Sequence, residues 1–206
     1  MTIAALLRHH GIDVPRFVTV DGTIVFDGVL PDRAGGFRHS TLGVVTPVAP
    51  HVFHGGTQTP DEVTGSARRW WEDELEIQRH QDAMASAFPG FMELPREEAP
   101  PAWGGVIDTG RGRFRIMVVC RRDQGIPAVI PVTPARLGKS RQGHWTRTEH
   151  LYDKGNLCVA DSADWDPSVH TVATAVAWAA HWLAAYTEWR MSDRWPIAGC
   201  TADVAA

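Results

Sequence analysis

Between residues 17 and 26 the alternation of apolar and polar positions predicts a β-hairpin: Val18 and Val20 alternate with polar neighbours, Asp21-Gly22 supplies the turn, and Ile24 and Phe26 resume the alternation. Beyond it Gly28, Pro31, Gly35, Gly36 and Gly43 interrupt the chain, and only Leu42 to Val45 reads as a further strand before Pro47 and Pro50. Residues 1–58 therefore form a β and loop segment, too short to hold much core alone and expected to pack on the rest. At Thr59-Pro60-Asp61-Glu62 a capping-box pattern with proline in the first helical position predicts a helix start, which Gly65 can delay to Ser66. Trp70, Ile77, Met84 and Phe88 then make an apolar stripe, with Trp71 and Leu75 beside it, so the helix lies on a core until Pro89-Gly90 ends it.

A β region follows. Gly104 to Thr109 and Arg113 to Arg122 read as antiparallel strands joined at Gly110 to Gly112, and Ala128 to Val132, bounded by Pro131 and Pro134, reads as an edge strand of the same meander. Gly138 to Gly143 reads as a mobile polar loop. The last element is a helix from Ser168 or Thr171 to about Met191. Val172, Val176, Ala179, Leu183 and Tyr186 recur by three and four, and Trp178, Trp182 and Trp189 form an adjoining stripe, so it is apolar over most of its circumference.

Composition narrows the classes. The 206 residues, 44% of them hydrophobic and 21% charged, suffice for one domain with an appendage. A net charge of -4 lacks the basic excess that a nucleic-acid backbone calls for. The apolar run Ile3 to Leu7 is too brief for a signal-peptide core, and Val172 to Tyr186 falls short of a bilayer span, so a soluble cytoplasmic protein without membrane contact is expected. Three widely spaced cysteines, Cys120, Cys158 and Cys200, fit a reducing compartment. His9 with His10, and His51 with His54, have no second ligand pair at metal-site spacing, and no metal is expected.

The chemistry concentrates in one stretch. His150-Leu151-Tyr152-Asp153-Lys154-Gly155-Asn156-Leu157-Cys158-Val159 is followed by Trp165-Asp166-Pro167 and then the long helix. This stretch resembles the active-site segment of ubiquitin-conjugating enzymes, in which a Gly-x-Ile/Leu-Cys-Leu/Val turn precedes a tryptophan, a proline two residues later, and a helix. Upstream, Ile126-Pro127-Ala128-Val129-Ile130-Pro131 keeps two prolines of the family's Tyr-Pro-x-x-Pro-Pro without its tyrosine. The resemblance covers Thr59 to the C-terminus, about three quarters of the chain. It implies an α+β fold of the ubiquitin-conjugating type: an antiparallel meander flanked by an N-terminal and a long C-terminal helix over 59–206, with residues 1–58 as an extra β segment. Departures are definite. His150 stands where the family has the asparagine of its His-Pro-Asn motif, Thr148 and Glu149 precede it, and the interval from Pro131 to His150 is about seven residues longer than usual. Bacterial relatives carry a histidine near this place and a similar run of tryptophans, and some of them sit in anti-phage defence systems.

The resemblance implies a carrier: Cys158 accepts a ubiquitin-like protein as a thioester from a separate activating enzyme and passes it to an amine on a protein target. Cysteine suits the task because its thiolate is both a good nucleophile and a good leaving group. ATP would be used by the activating enzyme, since this chain has no glycine-rich phosphate loop, and no cofactor is expected. His150 can supply an N–H to the oxyanion, or relay a proton. Asp161, Asp164 and Asp166 follow the cysteine closely enough to border the acceptor side, with Tyr152 and Asn156 as further candidates; Gly155, Trp165 and Pro167 are structural at the site. Two alternatives stay open: an inactive module of the same fold that binds a ubiquitin-like protein, and a thiol hydrolase with Cys158 as nucleophile and His150 as base. Cys120 reads as a buried, inert thiol, Cys200 as part of a frayed end, and Arg111, Arg113 and Arg115 as a solvated strand face, with docking of an acidic partner as the alternative.

Overall fold

The computed structural model describes residues 14–33, 35–53, 69–95 and 97–196. The hairpin forms as its alternation requires: β1 (Phe17–Thr19) pairs with β2 (Ile24–Val25), Phe17 opposite Val25 and Val18 opposite Ile24. Gly22 turns the chain at φ +102°, and a Cβ there would lie 2.6 Å from Ile107, so the turn demands glycine for conformation and for close approach. The sequence shows only one further strand in this region, but the structure has three. β3 (Val29–Pro31), β4 (Phe37–His39) and β5 (Gly43–Pro47) complete an antiparallel sheet in the order β2-β1-β5-β4-β3. The three-residue β3 and β4 lie between glycines and prolines and are too short to display a period of two. This sheet stands by itself and does not prolong the meander, although the Asp108 amide donates to the Asp21 carbonyl at 2.7 Å and joins the two.

The expected helix is shorter than its pattern suggests. Thr59 to Ser66 lie outside the described residues, and Trp70–Glu72 is a 3-10 turn. The α-helix, α1 (Glu74–Ala87), starts at Asp73, whose carboxylate accepts from the amides of Leu75 and Glu76. Trp70 is drawn out of helical register as its indole donates to the Arg121 carbonyl at 2.8 Å. Leu75, placed beside the apolar stripe by the sequence, is 83% exposed because helical phase is set from Asp73; Met84 and Phe88 are buried.

The meander is β6 (Met92–Glu93), β7 (Ala102–Asp108), β8 (Arg113–Val119) and β9 (Ala128–Thr133), antiparallel in that order. Along β8, Phe114, Ile116 and Val118 point into the core, and Arg113 and Arg115 are exposed, as alternation requires. Cys120 is buried.

The loop expected over Gly138 to Gly143 is instead a hairpin, β10 (Gly138–Arg141) with β11 (His144–Arg147). Gln142 and Gly143, at φ +49° and +80°, form the two-residue left-handed turn that suits strand twist. Its charges look solvated in sequence but have partners from about fifty residues later: Lys139 and Arg141 pair with Asp193, the Lys139 ammonium lies 4.2 Å from the Trp189 ring, and Gly138 bonds the Tyr186 hydroxyl.

The final helix, α2 (Val172–Ser192), begins after Thr171 and ends where Asp193 adopts φ +62°. Trp178, Trp182, Leu183 and Tyr186 are fully buried, together with Val18 and Phe53 of the N-terminal segment and Ile107, Ile116 and Val118 of the meander. Both sheets thus share one core around α2, which explains its all-round apolarity. No helix among the described residues is long and apolar enough to cross a membrane.

Candidate active site around Cys158

The chain returns from β11 to the edge of the meander through a short pinned loop. Leu151 and Leu157 form an antiparallel bridge, and Leu157 also bridges Val129 of β9, its amide donating to the Val129 carbonyl at 2.9 Å. Within the loop the Tyr152 amide donates to the Asn156 carbonyl at 3.0 Å and the Gly155 amide to the Tyr152 carbonyl at 2.7 Å. Gly155 closes this turn at φ +88°, and a Cβ added there would meet nothing within 4 Å. Gly155→Ala is therefore expected to cost about 1–2 kcal/mol through backbone strain alone, read as a shift in the urea unfolding midpoint.

Cys158 follows with its thiol fully buried, 0% exposed. Its amide donates to the His150 carbonyl at 3.0 Å, and the Trp182 indole of α2 donates to the same oxygen at 3.0 Å, so the helix core holds the cysteine loop directly. The strand-like pairing of 150–152 with 156–158 puts Tyr152 on the same side as Cys158, and the Tyr152 hydroxyl hydrogen-bonds the thiol. Burial, then the Cys158 sulfur, pushes the phenol well above its ordinary range; Asp161 adds to the effect and Arg121 opposes it. The phenol therefore remains a proton donor at any physiological pH.

The other expected site residues are brought near but are held in other ways. His150 sits at φ +54°, and its ring lies 5.0 Å from Trp195 and 6.0 Å from Phe53, centroid to centroid. Its bond to Cys158 runs through the backbone. The Asp161 carboxylate accepts from the Ala163 amide at 2.9 Å and the Ser162 hydroxyl at 3.3 Å; Asp164 accepts from the amides of Val52 and Asp161, at 2.9 and 3.3 Å. Asp166 accepts from the amide and hydroxyl of Ser168, bonds that lower its pKa, and lies at the surface. The three aspartates thus cap turns, and Asp161 also acts electrostatically on the Tyr152 phenol. Asn156 is half-buried at the loop's end. The Trp165 indole donates to the Gln124 carbonyl at 2.7 Å, and the Pro167 carbonyl accepts from Arg79 at 2.7 Å, which fixes the entry to α2.

Two residues that sequence reasoning did not single out belong here. Arg147 of β11 donates to the carbonyls of Tyr152 and Leu151, and Arg121, at the end of β8, contributes positive charge beside Tyr152. Neither sits in a motif; only the fold brings them to the cysteine.

A histidine pair, His51 and His181, packs against Phe53, with ring centroids 5.4 and 5.2 Å from it. His51 donates from Nδ1 to the Ala49 carbonyl at 2.7 Å, which leaves Nε2 to accept from His181 Nδ1 at 3.1 Å. Among the described residues no three His, Cys, Asp or Glu side chains come together as a metal site; His9, His10, His54 and Cys200 lie outside them. Burial lowers the His51 pKa from 6.5 to about 4, Arg16 acting in the same direction and the Ala49 bond and Asp164 opposing. The unfolded chain therefore binds a proton below about 6.5 that the folded chain refuses down to about 4. The His51 contribution to stability is full above that window and is lost as pH drops through it, roughly 3 kcal/mol in total. Urea midpoints at neutral and mildly acidic pH should show this slope, and His51→Gln should flatten it.

Compared with known families, residues 80–202 match a family model described as Type II CBASS E2 protein. The matched region begins inside α1 and contains the meander, the Cys158 loop and α2. No curated protein and no solved structure matches the chain.

Proposed function

The chain belongs to the Type II CBASS E2 protein family, a bacterial E2-like family in anti-phage defence, and on this premise we propose that Cys158 carries a ubiquitin-like protein as a thioester and transfers it to an amine. Members of the family work with a ubiquitin-like protein and an E1-like activating enzyme. In the first step the Cys158 sulfur attacks the carbonyl carbon of a thioester on the activating enzyme; the new carbon–sulfur bond replaces the old one, and the activating enzyme's thiol leaves with the proton. In the second step an amine on the protein target attacks the Cys158 thioester. An amide forms, the carbon–sulfur bond breaks, and the amine's proton passes to solvent or a nearby base.

The observation that carries this reading is the placement of Cys158: a thiol on a backbone-pinned Gly-x-Leu-Cys turn, beside the long helix and inside the region that matches the family. His150 is proposed as the group that donates to the oxyanion, in place of an amide. Asp161 is the acidic neighbour on the acceptor side, with Asn156, Asp164 and Asp166 bordering it. Residues 1–58 serve as an added β element on a ubiquitin-conjugating-type core of residues 59–206. ATP acts only on the activating enzyme, and the chain itself needs no cofactor.

The complete burial of the thiol favours a second reading, a non-catalytic module that binds the ubiquitin-like protein. Mass spectrometry separates the two. The protein is incubated with ATP, an E1-like activating enzyme and a ubiquitin-like protein from its own organism. The carrier gains the mass of the ubiquitin-like protein less one water, loses it to dithiothreitol, and shows the adduct at Cys158. Binding by calorimetry with no adduct supports the module instead.

A further inference from the structure

The thiol that the proposed reaction needs is out of reach in this structure: Cys158 is fully buried and hydrogen-bonded by the Tyr152 hydroxyl. Thioester exchange requires the donor carbonyl carbon within about 3.5 Å of the sulfur. Some part of the surroundings has to move, and the bonding shows which part. Cys158 itself is fixed, since its amide is bound to the His150 carbonyl, Leu157 before it is bound to β9, and Val159 and Ala160 after it are in the core. Tyr152, by contrast, rides on a turn whose tip, Asp153 and Lys154, is exposed and whose closure depends on the Gly155 and Asn156 backbone.

One side chain grips this turn from outside. The Arg147 guanidinium, exposed on β11, donates to the carbonyls of Tyr152 and Leu151. It reaches over from the hairpin that occupies the long interval before the cysteine. A partner surface that offers a carboxylate to Arg147 would draw it off those carbonyls, because a charge-assisted bond to a carboxylate is stronger than one to a neutral carbonyl.

The geometry points to a gate: Tyr152 seals Cys158 at rest, Arg147 latches the turn that carries it, and an acidic partner surface engaging Arg147 releases the seal. This inference rests on the carrier reading for its purpose, but its physical content is accessibility, which is measurable without the reaction. A sealed thiol is protected from oxidation and stray acylation until the correct partner docks. In this role Tyr152 and Arg147 are positioning residues: one touches the nucleophile, and the other acts through the backbone of the first.

The test is the rate at which iodoacetamide alkylates Cys158, followed by peptide mass spectrometry, with the buried Cys120 as internal reference for global loosening. Tyr152→Ala is expected to raise the Cys158 rate at least tenfold over wild type, with the Cys120 rate unchanged. Losing the single phenol bond should raise it about fivefold in Tyr152→Phe, which keeps the ring, and Arg147→Gln, which loses both guanidinium bonds, should raise it at least as much. The gate is overturned if Cys158 reacts as fast in wild type as in Tyr152→Ala, or if Cys120 accelerates in parallel. Should Tyr152→Ala lose its fold, Tyr152→Phe and Arg147→Gln decide the matter by the same criterion. Charging by the activating enzyme is scored separately. Faster alkylation with no charging of any variant keeps the gate and removes the carrier, whereas efficient charging with unmoved alkylation removes the gate and keeps the carrier.

Discussion

Cys158→Ser is expected to exchange a thiol-labile adduct for one that survives dithiothreitol, and to pass its cargo to amines at least ~100-fold more slowly than wild type. An alkoxide is a much poorer leaving group than a thiolate, whose parent thiol has a pKa near 8.5, so the ester forms but does not discharge. Cys158→Ala should form no adduct at all. Because the side chain is fully buried, the serine hydroxyl also needs a partner, and the Tyr152 phenol already stands at the sulfur to provide one. The folding cost should therefore stay near 1–2 kcal/mol and be separable from the chemistry by thermal melting. An adduct of equal yield on Cys158→Ala would place the carrier on another residue, and the reading of this site would fall.

The second large effect is expected at Trp182. It is fully buried, stacks on Tyr186 with ring centroids 5.7 Å apart, and donates its indole N–H to the His150 carbonyl that also receives the Cys158 amide. Trp182→Ala should cost about 3–5 kcal/mol, since it deletes the largest class of buried side chain and leaves a cavity beside Tyr186, Trp195 and the His150 carbonyl. That is a large share of the total stability of a domain this size, so the urea midpoint should fall sharply and near-ultraviolet dichroism should weaken. Trp182→Phe is more informative about function. It retains most of the apolar volume but removes one of the two donors at the His150 carbonyl, at a cost of about 1–2 kcal/mol. We expect its charging rate to fall several-fold while the melting temperature moves by only a few degrees. Equal charging in Trp182→Phe and wild type would mean that the helix core does not position the cysteine loop.

These two sites mark the boundary between what the sequence discloses and what it does not. Local, periodic information was legible. Asp21-Gly22 between alternating strands specified the first hairpin, alternation along Arg113–Val119 specified which face of the meander is buried, and the three-and-four spacing from Val172 specified the last helix almost to the residue. Cys158 stood out because its Gly-x-Leu-Cys turn before Trp-x-Pro resembles the active-site segment of ubiquitin-conjugating enzymes. The start of the first helix was less legible: the capping pattern at Thr59 lies outside the described residues, and in the described region Asp73 caps the helix and the Trp70 indole is claimed by the Arg121 carbonyl. Strands β3 and β4 are too short to carry a period, and the β10–β11 hairpin looked like a solvated loop because its partners, Asp193, Trp189 and Tyr186, come from the far end of the last helix.

What the sequence by itself determined, then, is the set of elements whose side chains face one way at a regular interval; it also singled out Cys158 as the candidate nucleophile. Only the tertiary structure decided that this thiol is buried, that a tyrosine six residues before it bonds the sulfur, that Arg147 holds that tyrosine's turn, and that an indole from α2 steadies the loop. The physical reason is range. Periodicity records how each residue meets an averaged inside or outside, whereas a site is made of particular contacts between residues far apart in the chain, and no local pattern encodes those.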